Sequence, residues 1–252
     1  MMPLHQAESS KTLSVFERIP DANIAAAYSN RAHGNMSLSH GDTGGSLTQR
    51  ANFLRGLGID HRRLVCARQV HGDRVYRVMG IEAGRGALDV ESAIPACDAL
   101  ITDERAVPLA VFTADCLPIF LYDPITHSAG LVHAGWRSTA GRIAFKTVRR
   151  MQDEFGSRPA RLHACFGPAI RQCCYEVSRE FAEIFPGRTR EENGKLFFDL
   201  VGANRSQLER AGLAPERIAD SGICTACCPD EYFSYRKDGQ ACGRMMSVVM
   251  LR

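Results

Sequence analysis

No apolar run in the sequence approaches the length of a membrane span, so a helical membrane protein is not expected. The opening stretch, MMPLHQAESSKTLSVF, lacks the apolar core of a secretory signal, and the expected location is the cytoplasm. A marked excess of charge of one sign is also lacking, with 31 basic and 28 acidic residues. A net +3 is too small to argue for a nucleic-acid or membrane partner. The glycine-rich stretch HGDTGGS, residues 40–46, has no lysine of a phosphate-cradling loop and no clear strand before it, so it reads as a turn. There is no internal repeat and no low-complexity tract. Cysteine, by contrast, is abundant. Ten in a chain expected to meet a reducing compartment argue against a disulfide framework and leave metal binding, catalysis or simple burial.

What is present is ordinary globular material, 45% hydrophobic and 23% charged, enough for a buried core. Strand and helix patterns alternate without a clear linker. The expected architecture is α/β, layered in the α+β manner and cysteine-hydrolase-like. It is one catalytic domain over residues 13–252 with a mixed β-sheet core flanked by helices, preceded by a mobile polar N-terminus, residues 1–12. Asn23 onwards, IAAAYSNRAHGNMS, reads as a strand entering a loop. A helix follows with Leu47, Ala51 and Leu54 on one face and Gly58 as its stop. Residues 63–71 read as a strand ending at His71, and Arg74 to Val78 as a short second strand.

The centre of the chain is LAVFTADCLPIFLYDPITHSAGLVHAGWRSTAGR, residues 109–142. It reads as an apolar strand ending in Thr113-Ala114-Asp115-Cys116, a second apolar run to Tyr122, a turn at Asp123-Pro124, and a strand that delivers His133. The helix expected from Ser138 or Thr139 repeats Ile143, Thr147, Met151 and Phe155 on one face, with a basic solvated face opposite and Gly156 and Pro159 at its end. Further strands are expected at Leu162–Phe166, Phe233–Arg236 and Met245–Leu251, and further helices around Phe181 and from Phe198 to Ala211.

Three residues at expected strand ends, His71, Cys116 and His133, offer two imidazoles and a thiolate, a recognised donor set for zinc with an open fourth position. Their wide spacing does not decide between that site, a cysteine nucleophile activated by histidine, and plain burial. Arg137, close behind His133, is a candidate catalytic clamp for phosphate or a charged substrate, or else the ion-pair partner of Asp115. Arg236 is a candidate substrate-binding residue on the same argument. Asp98 and Asp115 either orient a ligand histidine or cap turns. Trp136 either stacks on a base or packs in the core. A rival metal site is Cys224, Cys227, Cys228 and Cys242, which Cys173-Cys174 can complete; reduced thiols are the simpler reading.

Six words occur in order: Gln69-Val70-His71, Asp98-Ala99-Leu100-Ile101-Thr102, Thr113-Ala114-Asp115-Cys116-Leu117-Pro118, His133-Ala134-Gly135-Trp136-Arg137, Gly167-Pro168-Ala169-Ile170 and Ser234-Tyr235-Arg236. Together they resemble the purine nucleoside phosphorylase family once called polyphenol oxidase or laccase-domain proteins, over about residue 25 to the end. Gly34 and Ser37 follow the family's early loop less closely, and Ser138 stands where the family often has glycine. The resemblance implies that His71, Cys116 and His133 are metal ligands and that the metal is zinc. Copper is less favoured, since none of the eight histidines stands in the His-x-His pairs that a laccase-type centre needs. It implies action on adenosine and inosine with phosphate or water as nucleophile, hence a small-molecule substrate in a monomer or small homo-oligomer. Some bacterial relatives are linked instead to editing of peptidoglycan precursors. Two rival functions therefore stand beside a zinc-dependent phosphorylase: an amide or ester hydrolase working on such precursors through zinc-bound water or Cys116, and a non-enzymatic binding protein stabilised by zinc.

Overall fold

The computed structural model describes residues 23–39 and 41–252. The expected N-terminal tail, residues 1–12, and the start of the expected domain at residue 13 lie outside them.

The elements follow in chain order. β1 (Ile24–Tyr28), α1 (Thr43–Arg55), β2 (Val65–Cys66), β3 (Val75–Arg77), β4 (Ala99–Thr102) and β5 (Leu109–Thr113) form the first half. β6 (Leu117–Asp123), β7 (Ser128–Ala134), α2 (Trp136–Ala140), α3 (Ile143–Phe155) and β8 (His163–Phe166) form the middle. β9 (Glu176–Val177), α4 (Phe181–Ile184), β10 (Thr189–Glu192), β11 (Lys195–Phe198), α5 (Leu200–Ala211), β12 (Ile218–Asp220), α6 (Tyr235–Asp238) and β13 (Met245–Leu251) complete it. No helix among the described residues is long and apolar enough to cross a membrane.

Two mixed sheets stack face to face. One has the order β1-β13-β5-β2, the other β12-β8-β6-β7-β4-β3, and β9, β10 and β11 form a small separate sheet. Side chains of a strand point alternately to its two faces. In β6, Leu117, Ile119 and Leu121 therefore meet Ile143, Val148 and Met151 of α3 and Leu208 of α5. Phe120 and Tyr122 point the other way, into a core shared with Leu109 and Val111 of β5 and Val249 of β13. On the outer face of the four-stranded sheet, Ala25, Ala110 and Val248 pack under Phe53 and Leu54 of α1. The layers are thus helix, sheet, sheet, helices. The inner strands β6 and β7 are buried on both faces, and this is why they read as continuous apolar runs. The mixed sheets flanked by helices are the expected class.

Several local expectations give way. The stretch 40–46 is not all turn: α1 begins at Thr43, because the Asp42 carboxylate accepts the backbone N–H groups of Gly44 and Gly45 and caps the helix. The helix behind Trp136 is two helices, since Gly141 and a left-handed Arg142 (φ 62°) break the run between α2 and α3. Residues 233–236 form no strand; Tyr235–Asp238 is one helical turn, α6. The hairpin of β10 and β11 was not foreseen, although its Asn193-Gly194 turn, with φ of 51° and 74°, carries a recognisable hairpin signal. The end of α3 at left-handed Gly156 is as expected.

Candidate metal centre

Three connections pass from one sheet to the other at the same end of the sandwich. The link from β2 to β3 carries His71, the link from β5 to β6 carries Asp115 and Cys116, and the link from β12 to β13 carries Thr225 and Arg236. His133 stands near the end of β7. Residues far apart in sequence meet here because the chain changes sheets here. His71 is not a strand end, as the alternation suggested: β2 stops at Cys66, and His71 sits in the following loop with φ 58°. Asp115 is also left-handed, at φ 86°. Both conformations cost free energy in non-glycine residues and persist only where surrounding bonds over-determine them.

Those bonds are present. Buried Asp98, just before β4, accepts the backbone N–H of His71 (2.9 Å), of Gly72 (2.8 Å) and of Val70 (3.2 Å), and its Oδ1 also lies 2.8 Å from Nδ1 of His133. A carboxylate only accepts, so Nδ1 of His133 carries the hydrogen and Nε2 is left for the cavity. One aspartate thus both turns the His71 loop and orients the second histidine. Asp115 plays a different part. It accepts the Thr225 hydroxyl (2.6 Å) and the backbone N–H of Arg236 (2.7 Å), drawing the β12–β13 connection onto the base of the site. The Gln69 side-chain amide bonds both the N–H and the C=O of Phe112 at 2.8 Å and anchors the loop before His71 to β5.

The donor atoms of His71, Cys116 and His133 all lie within 4.8 Å of one another, with Cys116 Sγ 3.8 Å from His71 Nε2. Zinc bonds of about 2.0–2.1 Å to nitrogen and about 2.3 Å to sulfur put tetrahedral donors about 3.3–3.6 Å apart, so the set needs only a small contraction to hold one ion. Burial pushes the Cys116 thiol up, but the His133 and His71 imidazoles outweigh it and bring the thiol down to about 6. Burial lowers His133, while the Cys116 thiolate and Asp98 raise it to about 9. A thiolate and two imidazoles of fixed orientation are the donors a borderline-soft cation prefers. Gly135 leaves room for them; a Cβ there would lie 2.8 Å from His71 Cδ2 and 3.1 Å from Cys116 Sγ.

The cluster opens onto a cavity of about 860 Å³ that is also lined by Arg137, Arg236, Tyr175 and Arg50. Arg137 is exposed and stacks on Trp136 at 4.5 Å; the alternative ion pair with Asp115 does not form, and the Asp115 oxygens bond Thr225 and the Arg236 N–H instead. Trp136 packs its ring on Phe181 at 5.0 Å, so it serves the core and the cavity wall together. The Arg236 guanidinium bonds the Glu176 carbonyl and stands over Tyr175 at 5.6 Å. Sequence reasoning missed Arg50. It is 2% exposed, and its guanidinium is held by the carbonyls of Met36, Gly86 and Ala87 against the Phe112 ring. Its signal was a guanidinium on the inward face of α1, in step with Ser46 and Phe53. Of the cysteine cluster, Cys224 and Cys227 do meet Cys173 and Cys174. Cys228 and Cys242 do not join them. They pack with the sheet–sheet core, where the Cys242 thiol faces Asp238.

Fold and site together define an α/β sandwich with a thiolate and two imidazoles converging on a basic cavity. The chain belongs to the family described as multi-copper polyphenol oxidoreductase laccase, whose model matches residues 24–252. It is 37% identical over 225 residues to the purine nucleoside phosphorylase YlmD of Geobacillus stearothermophilus, covering 85% of this chain and 82% of that one. The crystal structure of YlmD from that organism superposes with a TM-score of 0.87 at 35% identity, covering 92% of this chain and 93% of the other. Adenosine deaminase RL5, from an unknown prokaryotic organism, is 37% identical over 215 residues, 81% of this chain and 80% of its own.

Proposed function

We propose that the protein is a zinc-dependent purine nucleoside phosphorylase acting on adenosine and inosine, with His71, Cys116 and His133 holding the metal. The carrying observation is the convergence of those three donors on the wall of a cavity whose rim bears Arg137 and Arg236. When bound, zinc supplies a Lewis acid and acidifies a bound water. The chain's own residues do the rest. Asp98 keeps His133 in the tautomer that presents Nε2. Arg137, free of carboxylate partners among the described residues, clamps phosphate through paired N–H groups. Arg236 and Tyr175 face the same space and bind the substrate's ribose side. In phosphorolysis an oxygen of hydrogen phosphate bonds to the anomeric carbon as the bond from that carbon to the purine nitrogen breaks, and the proton that the phosphate loses passes through solvent to the departing base. Guanidinium groups beside the phosphate stabilise the charge that moves in this step.

The relative named adenosine deaminase supports a second activity of the same centre, in which water attacks the purine ring of adenosine and ammonia leaves. The low-lying Cys116 thiol beside His133 favours one further reading, a cysteine hydrolase acting on amide or ester bonds of peptidoglycan precursors. Metal analysis combined with assays on inosine, adenosine and peptidoglycan precursors, run on one preparation, tests all three. Wild type is expected to hold metal at this centre and to release hypoxanthine from inosine only with phosphate. Cys116→Ala is expected to lose the metal of this centre and the activity with it. Full activity in metal-free protein would sink the zinc reading and leave the thiol nucleophile.

A further inference from the structure

Away from the residues that line the cavity, the loop after β8 and the β12–β13 connection run alongside each other. The Ala169 N–H donates to the Ile223 carbonyl at 3.3 Å, and the Thr225 N–H to the Ala169 carbonyl at 3.1 Å. Neither segment is held by a regular element where it carries its cysteines. Instead four sulfurs meet. Sγ of Cys227 lies 3.3 Å from that of Cys174 and 3.6 Å from that of Cys173, and with Cys224 all four donor atoms lie within 4.8 Å of one another. Zinc–sulfur bonds of about 2.3 Å place tetrahedral sulfurs about 3.8 Å apart, inside that spread.

We infer that Cys173, Cys174, Cys224 and Cys227 form a second, four-thiolate zinc site that clips the loop after β8 to the β12–β13 connection. The local backbone is built for it. Cys224-Thr225-Ala226-Cys227 has the usual half-site spacing for a structural zinc, and it closes a turn in which the N–H groups of Cys227 and Cys228 both reach the Cys224 carbonyl at 3.2 Å. A second turn, with the Cys174 N–H on the Arg171 carbonyl at 2.9 Å, folds the adjacent pair so that both sulfurs face Cys227. Burial pushes the Cys224 thiol up, but backbone N–H groups of Arg171 and Cys227 directed at its sulfur outweigh that and hold it below the ordinary range, while burial and the neighbouring sulfurs push Cys173 and Cys174 up. Four thiols crowded this way release their protons to solvent when a soft cation binds, and the cation offsets the charge of the thiolates that remain. Four protein ligands close the coordination sphere, so the site is structural and binds no substrate. What it braces is the candidate centre, because Tyr175 and Thr225 flank it on the two clipped segments and Thr225 bonds Asp115 beside Cys116.

The test is cobalt(II) loading of the full-length reduced protein after chelation, read by stoichiometry and by absorption. Wild type is expected to saturate at two equivalents, and Cys116→Ala at one, whose charge-transfer and ligand-field bands have four-thiolate intensity. A Cys173→Ser, Cys227→Ser double variant is expected to keep one equivalent of single-thiolate type, with circular dichroism verifying its fold. Because the four-thiolate bands are also read in wild type, a variant that fails to fold does not remove the test. Wild type saturating at one equivalent with single-thiolate bands would overturn the second site. One equivalent with four-thiolate bands would uphold this site and count against metal at His71, Cys116 and His133 instead.

Discussion

Asp98 carries more of the candidate centre than any other side chain outside the donor set. Asp98→Asn keeps the shape but replaces a pure acceptor at the His133 Nδ1 hydrogen and in the loop at 70–72. Metal affinity is expected to fall about 10- to 100-fold, read by competition with a chromophoric chelator. Gly135→Ala tests crowding rather than charge. The residue's backbone is extended (φ −80°, ψ 174°), so the new methyl strains nothing locally and instead strikes His71 and Cys116. The expected result is loss of metal at His71, Cys116 and His133, read as one equivalent fewer than wild type, with an unchanged circular dichroism spectrum. At this scale the sequence was informative about donor types and silent about their meeting. His71, Cys116, His133 and Asp98 could be named from the motif words, but Arg50 could not, because its role depends on which carbonyls surround it. Cys228 and Cys173 show the same limit. Cys228 neighbours Cys227 in the chain and yet turns into the sheet–sheet core, whereas Cys173, far away in sequence, meets the Cys227 sulfur.

Among the elements, α3 was the plainest to read. Ile143, Ala144, Thr147, Val148 and Met151 are its buried face, and its apolar spacing has a single explanation. Met151→Ala is expected to cost about 2–5 kcal/mol in denaturant unfolding, since the side chain is fully buried against β7 and the cavity left would be walled by strands that cannot collapse. β6 and β7 were readable for a related reason: strands buried on both faces are apolar throughout. Short elements were not. The cap at Asp42, the break at Arg142 and the single turn of α6 are decided by a few backbone bonds that leave little periodicity. The Arg171–Asp220 fork, at 2.8 and 2.6 Å, ties the loop after β8 to β12. Burial raises the Asp220 carboxyl, but the Arg171 guanidinium and the Gly222 N–H outweigh it and hold it below the usual carboxylate range. A carboxyl depressed in the folded state adds stability above its unfolded pKa and loses it as pH falls through the folded one. Asp220→Asn is therefore expected to lower stability by about 1 kcal/mol at neutral pH, with the gap to wild type closing under acid, measured by urea unfolding across a pH series.

For the molecule as a whole, the last strand is the keystone. β13 pairs with β1 on one side and β5 on the other, while Val249 and Leu251 enter the sheet–sheet core and Met246 and Val248 the layer under α1. A chain cut before Met245 is expected to show no cooperative unfolding transition and to elute as aggregate, because two cores open and two strands lose their ladder bonds at once. The sequence by itself determined that the chain makes mixed sheets covered by helices, since apolar periodicity is a local property that survives in one dimension. It also determined which side chains were able to bind a metal, since donor chemistry belongs to residue type. Only the tertiary structure decided which of them do converge. Three connections cross between the sheets at one end, and that crossing, which no spacing in the chain encodes, brings His71, Cys116 and His133 together and draws Cys173 and Cys174 onto Cys224 and Cys227.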